Sequence, residues 1–149
     1  MRKFEICHDI KGNYPDITLP TRADNGSAGY DFYAPYDFSI PPQTSKIIPT
    51  YVKASMETNE VLLLYVRSSI GIRKGITLTN GTGVIDSTYY NNPDNEGNIC
   101  MALKNNTDFP VSFKKNERIM QGVFTKYLTV DDDKPLSNAR KGGIGSSGK

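Results

Sequence analysis

The sequence has no tryptophan, one histidine and two cysteines, and it lacks any long apolar run. Each shortage removes a class of chemistry. With His8 alone, a histidine-rich metal site is impossible, and Ser-His-Asp catalysis would have to use that single ring. Cys7 and Cys100 stand far apart and match no metal-ligand spacing, so a bound metal would need oxygen ligands, which points to magnesium. The two are expected as free thiols of a cytoplasmic chain. The longest apolar run, Val61–Val66, is strand-sized and far short of the roughly 20 residues that span a bilayer. Met1–Lys3 is basic, but Glu5, His8 and Asp9 interrupt the apolar core of a signal peptide. Charge of one sign is lacking too: 18 Lys and Arg against 16 Asp and Glu leave a formal +2. Without a basic stripe or polybasic arm, neither nucleic acid nor a membrane is an expected partner.

What is present reads as strands. At 149 residues the chain is long enough for one domain with a substantial core. Short apolar or alternating runs recur at Arg2–Ile6, Lys46–Val52, Glu60–Val66, Gly75–Leu78, Gly83–Ile85, Ile99–Leu103, Pro110–Phe113 and Arg118–Tyr127. Glycines and prolines separate them. Such spacing predicts an all-β sandwich or barrel, with Ser68–Arg73 the one helical turn. Composition shifts after residue 130. Residues 1–130 are expected to form the β domain, and 131–149, rich in Gly and Ser after an acidic break, a flexible C-terminal arm.

Four segments and this arm could carry chemistry. Gly83-Val-Ile-Asp-Ser-Thr-Tyr-Tyr90 ends an apolar strand in a carboxylate, Asp86, and an aromatic, Tyr89; a plain Asp-Ser turn would look the same. Arg67-Ser-Ser-Ile-Gly71 places a guanidinium and two hydroxyls where a strand enters a helical turn, which suits a phosphate or simply caps the helix. Asp31 lies among the aromatic and small residues of Ala28–Ala34, where a carboxylate is costly unless paired, hydrated or near a cation. Gln121 shares strand parity with Ile119 and Val123. Together they make the inventory of a triphosphate site: a phosphate grip, a carboxylate for hydrated magnesium, a base, an aromatic platform and a Gly-rich cover.

The order and wording of these segments resemble the trimeric dUTPase family (deoxyuridine 5′-triphosphate nucleotidohydrolase), whose five motifs find counterparts from Ala28 to Gly148. The resemblance implies a distorted jelly-roll or β-barrel-like (β-clip) fold and a homotrimer with shared active sites. It implies Mg²⁺-dependent hydrolysis of dUTP to dUMP and pyrophosphate. Asp31 would hold Mg²⁺ through water, and Arg67, Ser68, Ser69 and Gln121 would contact phosphates. Asn80 and the backbone of Gly83, Val84 and Ile85 would read uracil. Asp86 would orient and deprotonate the attacking water, and Tyr89 would stack under the deoxyribose. Arg140, Gly143, Ile144, Gly145 and Ser146 would close over the nucleotide. Ile144 stands where the family usually has Phe, Arg140 lies one residue nearer the Gly-Gly pair than usual, and Thr88 stands where an acid is common. Residues 91–96 lengthen the segment after Tyr89 and could contact a protein partner.

Two rivals follow. A dCTP deaminase resembles this fold, but its general base lies in Glu-Leu-x-Asn, where this chain reads Ala102-Leu-Lys-Asn105. A dUTPase-like regulatory protein would use 91–96 as its binding surface.

Overall fold

The computed structural model describes residues 1–8, 16–140 and 142–145. The described chain is built of eleven strands and one helix: β1 (Lys3–Ile6), β2 (Tyr30–Tyr33), β3 (Phe38–Ile40), β4 (Ser45–Pro49), β5 (Val52–Ser55), β6 (Glu60–Val66), α1 (Ser68–Lys74), β7 (Ile76–Leu78), β8 (Gly83–Asp86), β9 (Cys100–Asn105), β10 (Val111–Phe113) and β11 (Arg118–Lys126). The all-β expectation with one short helix holds. Among the described residues, no helix is long and apolar enough to cross a membrane.

All pairings are antiparallel. A four-stranded sheet runs β2-β11-β6-β8, a three-stranded one β4-β9-β7, and two ribbons pair β1 with β5 and β3 with β10. Between them lies a core of Phe32, Ile48, Leu62, Ile99, Met101, Leu103, Phe113 and Met120, each under 2% exposed.

Strand parity in the four-stranded sheet decides where the site residues go. Gln121 pairs with both Asp31 and Tyr65, and Val123 with Leu63, which pairs with Val84. Directly opposed residues share a face. The outer face therefore carries Asp31, Gln121, Tyr65, Leu63, Val123, Val84 and Asp86, while Phe32, Met120, Leu62 and Leu64 fill the core side.

Boundaries differ from expectation where the chain changes sheets. Lys46–Val52 is not one strand. It breaks at Thr50-Tyr51, because β4 pairs with β9 and β5 pairs with β1. Tyr51 takes φ of 60° at the break, and the Thr50 hydroxyl donates to Ile99 O at 2.6 Å. The strand expected from Gly75 starts at Ile76, since Gly75 (φ 67°) caps α1 in the left-handed region and donates to Gly71 O. β3, only three residues between prolines, had no clear signal in the sequence.

Candidate functional site

Two cavities receive most of the expected site residues, and they share no lining residue. The larger, about 390 Å³, opens beside β8 and is bounded by Asn80, Gly83, Val84, Ile85 and Tyr89, with Ile47, Leu64, Leu78 and Met120 as apolar walls. The second, about 330 Å³, lies on the outer face of the sheet and gathers Ser27, Gly29, Asp31, Arg67, Ser68 and Gln121. Adjacent residues of β11 thus serve different cavities, Met120 the first and Gln121 the second.

The first cavity is shaped by a tight crossing. Gly83 pairs with Leu64, and a Cβ on Gly83 would meet Leu64 side-chain atoms at 2.9 Å. Only glycine lets β8 lie this close to β6, which brings its backbone to the cavity wall. Asn80, just before the strand, is exposed at the rim. Tyr89 is 4% exposed. Its hydroxyl donates to Asn98 O at 3.1 Å and accepts from Asn95 Nδ2 at 2.8 Å. Burial pushes its pKa above the ordinary tyrosine value, so the phenol stays neutral.

Asp86 ends β8, half-buried. One carboxylate oxygen accepts from Thr88 N at 3.0 Å and from the Thr88 hydroxyl at 2.5 Å. This Asx turn fixes the side chain and leaves the other oxygen without a bond to Thr88. Asp86 lines neither cavity, although it shares a sheet face with the second.

The second cavity is a cationic cradle around a carboxylate. Asp31 is 7% exposed and lies 3.4 Å from Arg67 Nε and 3.3 Å from Arg118 Nη1. Arg67 precedes α1 in extended conformation, with φ −65° and ψ 145°, and its Nη1 donates to Arg118 O at 3.0 Å. The guanidinium is thereby aimed along the cavity, beside Ser68. Ser69 is half-buried in the same helical turn and does not line the cavity. Arg118 was not singled out from the sequence. Its only signal was a place in the Glu117–Gln121 segment, next to the strand carrying Asp31.

The donor set suits magnesium only with substrate present. Among the described residues, no three of His, Cys, Asp or Glu cluster as a metal site would require. Mg²⁺ ordinarily keeps several waters and needs one or two carboxylates plus phosphate oxygens. A single buried carboxylate at an open cavity, with Arg67 beside it, fits that requirement.

The arm reaches the first cavity. Arg140 Cζ lies 5.0 Å from the Tyr89 ring centroid, and Arg140, Ile144 and Gly145 border the opening. Gly143 is buried but does not line it. Ile144 is 74% exposed, an apolar edge rather than a plug. Ser146 and Lys141 lie outside the described residues.

The stretch that would hold a deaminase glutamate, Ala102–Asn105, belongs to β9. Ala102 lines the first cavity, and Asn105 is fully buried, donating to Ile40 O and Phe109 O. Asn105 serves the fold.

Comparison with known proteins gives one consistent outcome. A family profile described as dUTPase matches residues 15–148. The chain is 45% identical over 149 residues to the deoxyuridine 5′-triphosphate nucleotidohydrolase of Lactococcus lactis, covering 99% of this chain and 98% of that one. It is similar to the crystal structure of dUTPase from Streptococcus mutans, at TM-score 0.77 and 42% identity, over 86% of this chain and 98% of the other. A dUTPase variant from phage phi11 of S. aureus, described with a structural Mg(II) ion, shares the fold at TM-score 0.73 and 19% identity, over 93% of this chain and 98% of its own.

Proposed function

The chain belongs to the dUTPase family and is a dUTP diphosphatase, and on that premise we propose how its residues divide the work of converting dUTP and water to dUMP and pyrophosphate. The observation that carries this division is the pair of cavities. One has apolar walls with an amide at its rim and an aromatic side, suited to a nucleoside. The other has Arg67, Ser68 and Gln121 around Asp31, suited to a triphosphate.

In the first cavity, Asn80 and the backbone groups of Gly83, Val84 and Ile85 pair with the uracil edge. Cytosine presents the opposite donors and acceptors, so it would leave buried groups unpaired. Tyr89 packs on the deoxyribose and leaves no room for a 2′-hydroxyl. In the second, Arg67, Ser68 and Gln121 bind phosphate oxygens, and Ser69 joins them from the same helical turn. Asp31 would hold Mg²⁺ through water, and the ion would supply positive charge against the triphosphate. Asp86 accepts the proton of the water that attacks the α-phosphorus. Arg140, Gly143, Ile144, Gly145 and Ser146 cover the nucleotide, and residues 131–149 act as an arm on the 1–130 domain.

One chain does not bring the two cavities together, which supports a homotrimer whose active sites are shared between subunits. The outer sheet face supports it as well. Leu63, Tyr65, Val84 and Val123 form an apolar patch there, with Val84 64% and Tyr65 38% exposed, a surface suited to burial against a second copy. A cytoplasmic location completes the proposal. A regulatory role for residues 91–96 is not favoured, because Asn92 and Asn95 turn their amides inward to Tyr89 and to each other.

The test is pyrophosphate release from dUTP, with and without magnesium, beside dTTP, UTP and dCTP. Turnover confined to dUTP and lost on chelation supports the reading. Magnesium-independent turnover removes the role of Asp31, and equal turnover of UTP removes that of Tyr89.

A further inference from the structure

The segment between Tyr89 and β9 has no part in the division of labour above, yet it is the most heavily cross-braced loop near the site. Asn92 is 5% exposed. Its Oδ1 accepts from Asp94 N at 3.0 Å and Asn95 N at 3.2 Å. Its Nδ2 donates to Tyr89 O at 2.8 Å and Asn95 Oδ1 at 2.7 Å. Lys53 and His8 anchor the far end through Glu96. The loop is thus a rigid platform behind Tyr89, with the Asp94 carboxylate at its outer edge.

The arm meets this platform at one place. Residues 127–139 are exposed throughout, whereas Gly142 and Gly143 are buried. Gly143 N donates to Asp94 Oδ2 at 2.7 Å. A Cβ on Gly142 would stand 2.1 Å from that same oxygen, so the contact requires glycine there. Arg140 folds back over the pair, its Nε donating to Gly142 O at 2.6 Å and its Nη2 to Gly143 O at 2.9 Å. The guanidinium set by these bonds is the one over the Tyr89 ring.

We propose that the loop 91–96 is the seat of the C-terminal arm, and that Asp94 is a positioning residue holding Gly142-Gly143 there so that Arg140 and Ile144 stand over the nucleoside cavity. The inference rests on the reading of that cavity as the dUTP site. A backbone N–H bonded to a carboxylate is a charge-assisted contact. It closes only when a segment without side chains arrives, which matches the Gly-Gly pair of the arm. The extra residues after Tyr89 therefore serve the arm of this same protein, whether that arm comes from the same subunit or from a neighbour.

The test is a double-mutant cycle in the full-length enzyme. Asp94→Ala should lower kcat/KM for dUTP about tenfold, the usual scale for a hydrogen bond to a charged group, without changing the circular dichroism spectrum. Asp94→Asn, which keeps an acceptor, should recover most of the loss. In an enzyme ending at Ala139, Asp94→Ala should have no further effect, because its target is gone. An unchanged kcat/KM in full-length Asp94→Ala, or the same fold-loss with and without the arm, would overturn the proposal. Trypsin cleavage after Arg140 in the presence of α,β-imido-dUTP gives an independent reading. Asp94→Ala should abolish protection that the unaltered chain shows, and equal protection in both counts against the seat. If truncation at Ala139 leaves dUTP turnover intact, the cover role of the arm fails, while the trypsin comparison still decides whether Asp94 seats it.

Discussion

Gly29 leaves the space that the Gln121 side chain fills: a Cβ at Gly29 would lie 2.4 Å from Gln121 Oε1 and 3.3 Å from its Cβ. Both residues line the second cavity. The closest atom is the tip of a flexible side chain, so a methyl group here displaces the amide more readily than it disturbs β11. Gly29→Ala is expected to lower kcat/KM for dUTP about tenfold through a lost phosphate contact, with the folded spectrum retained. Steady-state kinetics beside circular dichroism check it. Unfolding of the variant, or unchanged kinetics, would show that Gln121 is placed there for the fold alone.

Asp86 is held by the backbone N–H and the hydroxyl of Thr88. Asp86→Asn keeps an oxygen for those bonds while removing the proton acceptor. Turnover should fall about 100-fold or more, whereas α,β-imido-dUTP should bind within about threefold of the unaltered enzyme, as calorimetry can measure. A variant that retains turnover would remove Asp86 from the chemistry.

How far the sequence revealed this arrangement differs from one residue to the next. Glu60–Val66 announced itself as a strand because a run of leucines bounded by turn residues has few other homes, and Gly83–Ile85 was a short apolar run that the structure extends to Asp86. Asp31 and Gln121 were legible as polar residues in apolar strands. That they stand opposite each other depends on the register of β2 against β11, which no local pattern encodes. Arg118 was invisible for the same reason, since its value comes from lying across from the strand that carries Asp31. Asp94 was legible only as one residue of the 91–96 segment, with no role of its own. Its meaning arises only when a glycine pair nearly fifty residues later is laid against it, a contact of high sequence separation that composition cannot announce.

Residues 127–139 add nothing to the buried core: they are exposed and lie in no strand or helix. Truncation after Ala139 should therefore leave the thermal midpoint within a few degrees while lowering dUTP turnover by about tenfold or more, since Arg140 and Ile144 would no longer stand over the cavity. Calorimetry and pyrophosphate release separate the two effects. A truncated chain that unfolds would make the arm part of the fold.

Away from the site, Glu60 supplies a pH-dependent share of stability. It is 5% exposed, accepts from Arg2 Nε at 2.8 Å and Arg2 Nη2, and accepts from Glu57 N at 2.9 Å. The Arg2 hydrogen bond, then that from Glu57, holds its carboxyl below the ordinary range. A folded pKa below the unfolded value, about 4.3, means the folded state favours the carboxylate. The resulting stability is fully present above that value and is lost as pH falls through the folded pKa. Glu60→Gln should therefore melt below the unaltered protein by a constant margin from pH 7 to about pH 5, and the margin should shrink toward zero in stronger acid. Melting curves across that range decide it, and a margin that widens on acidification would mean that Glu60 is not the group that titrates.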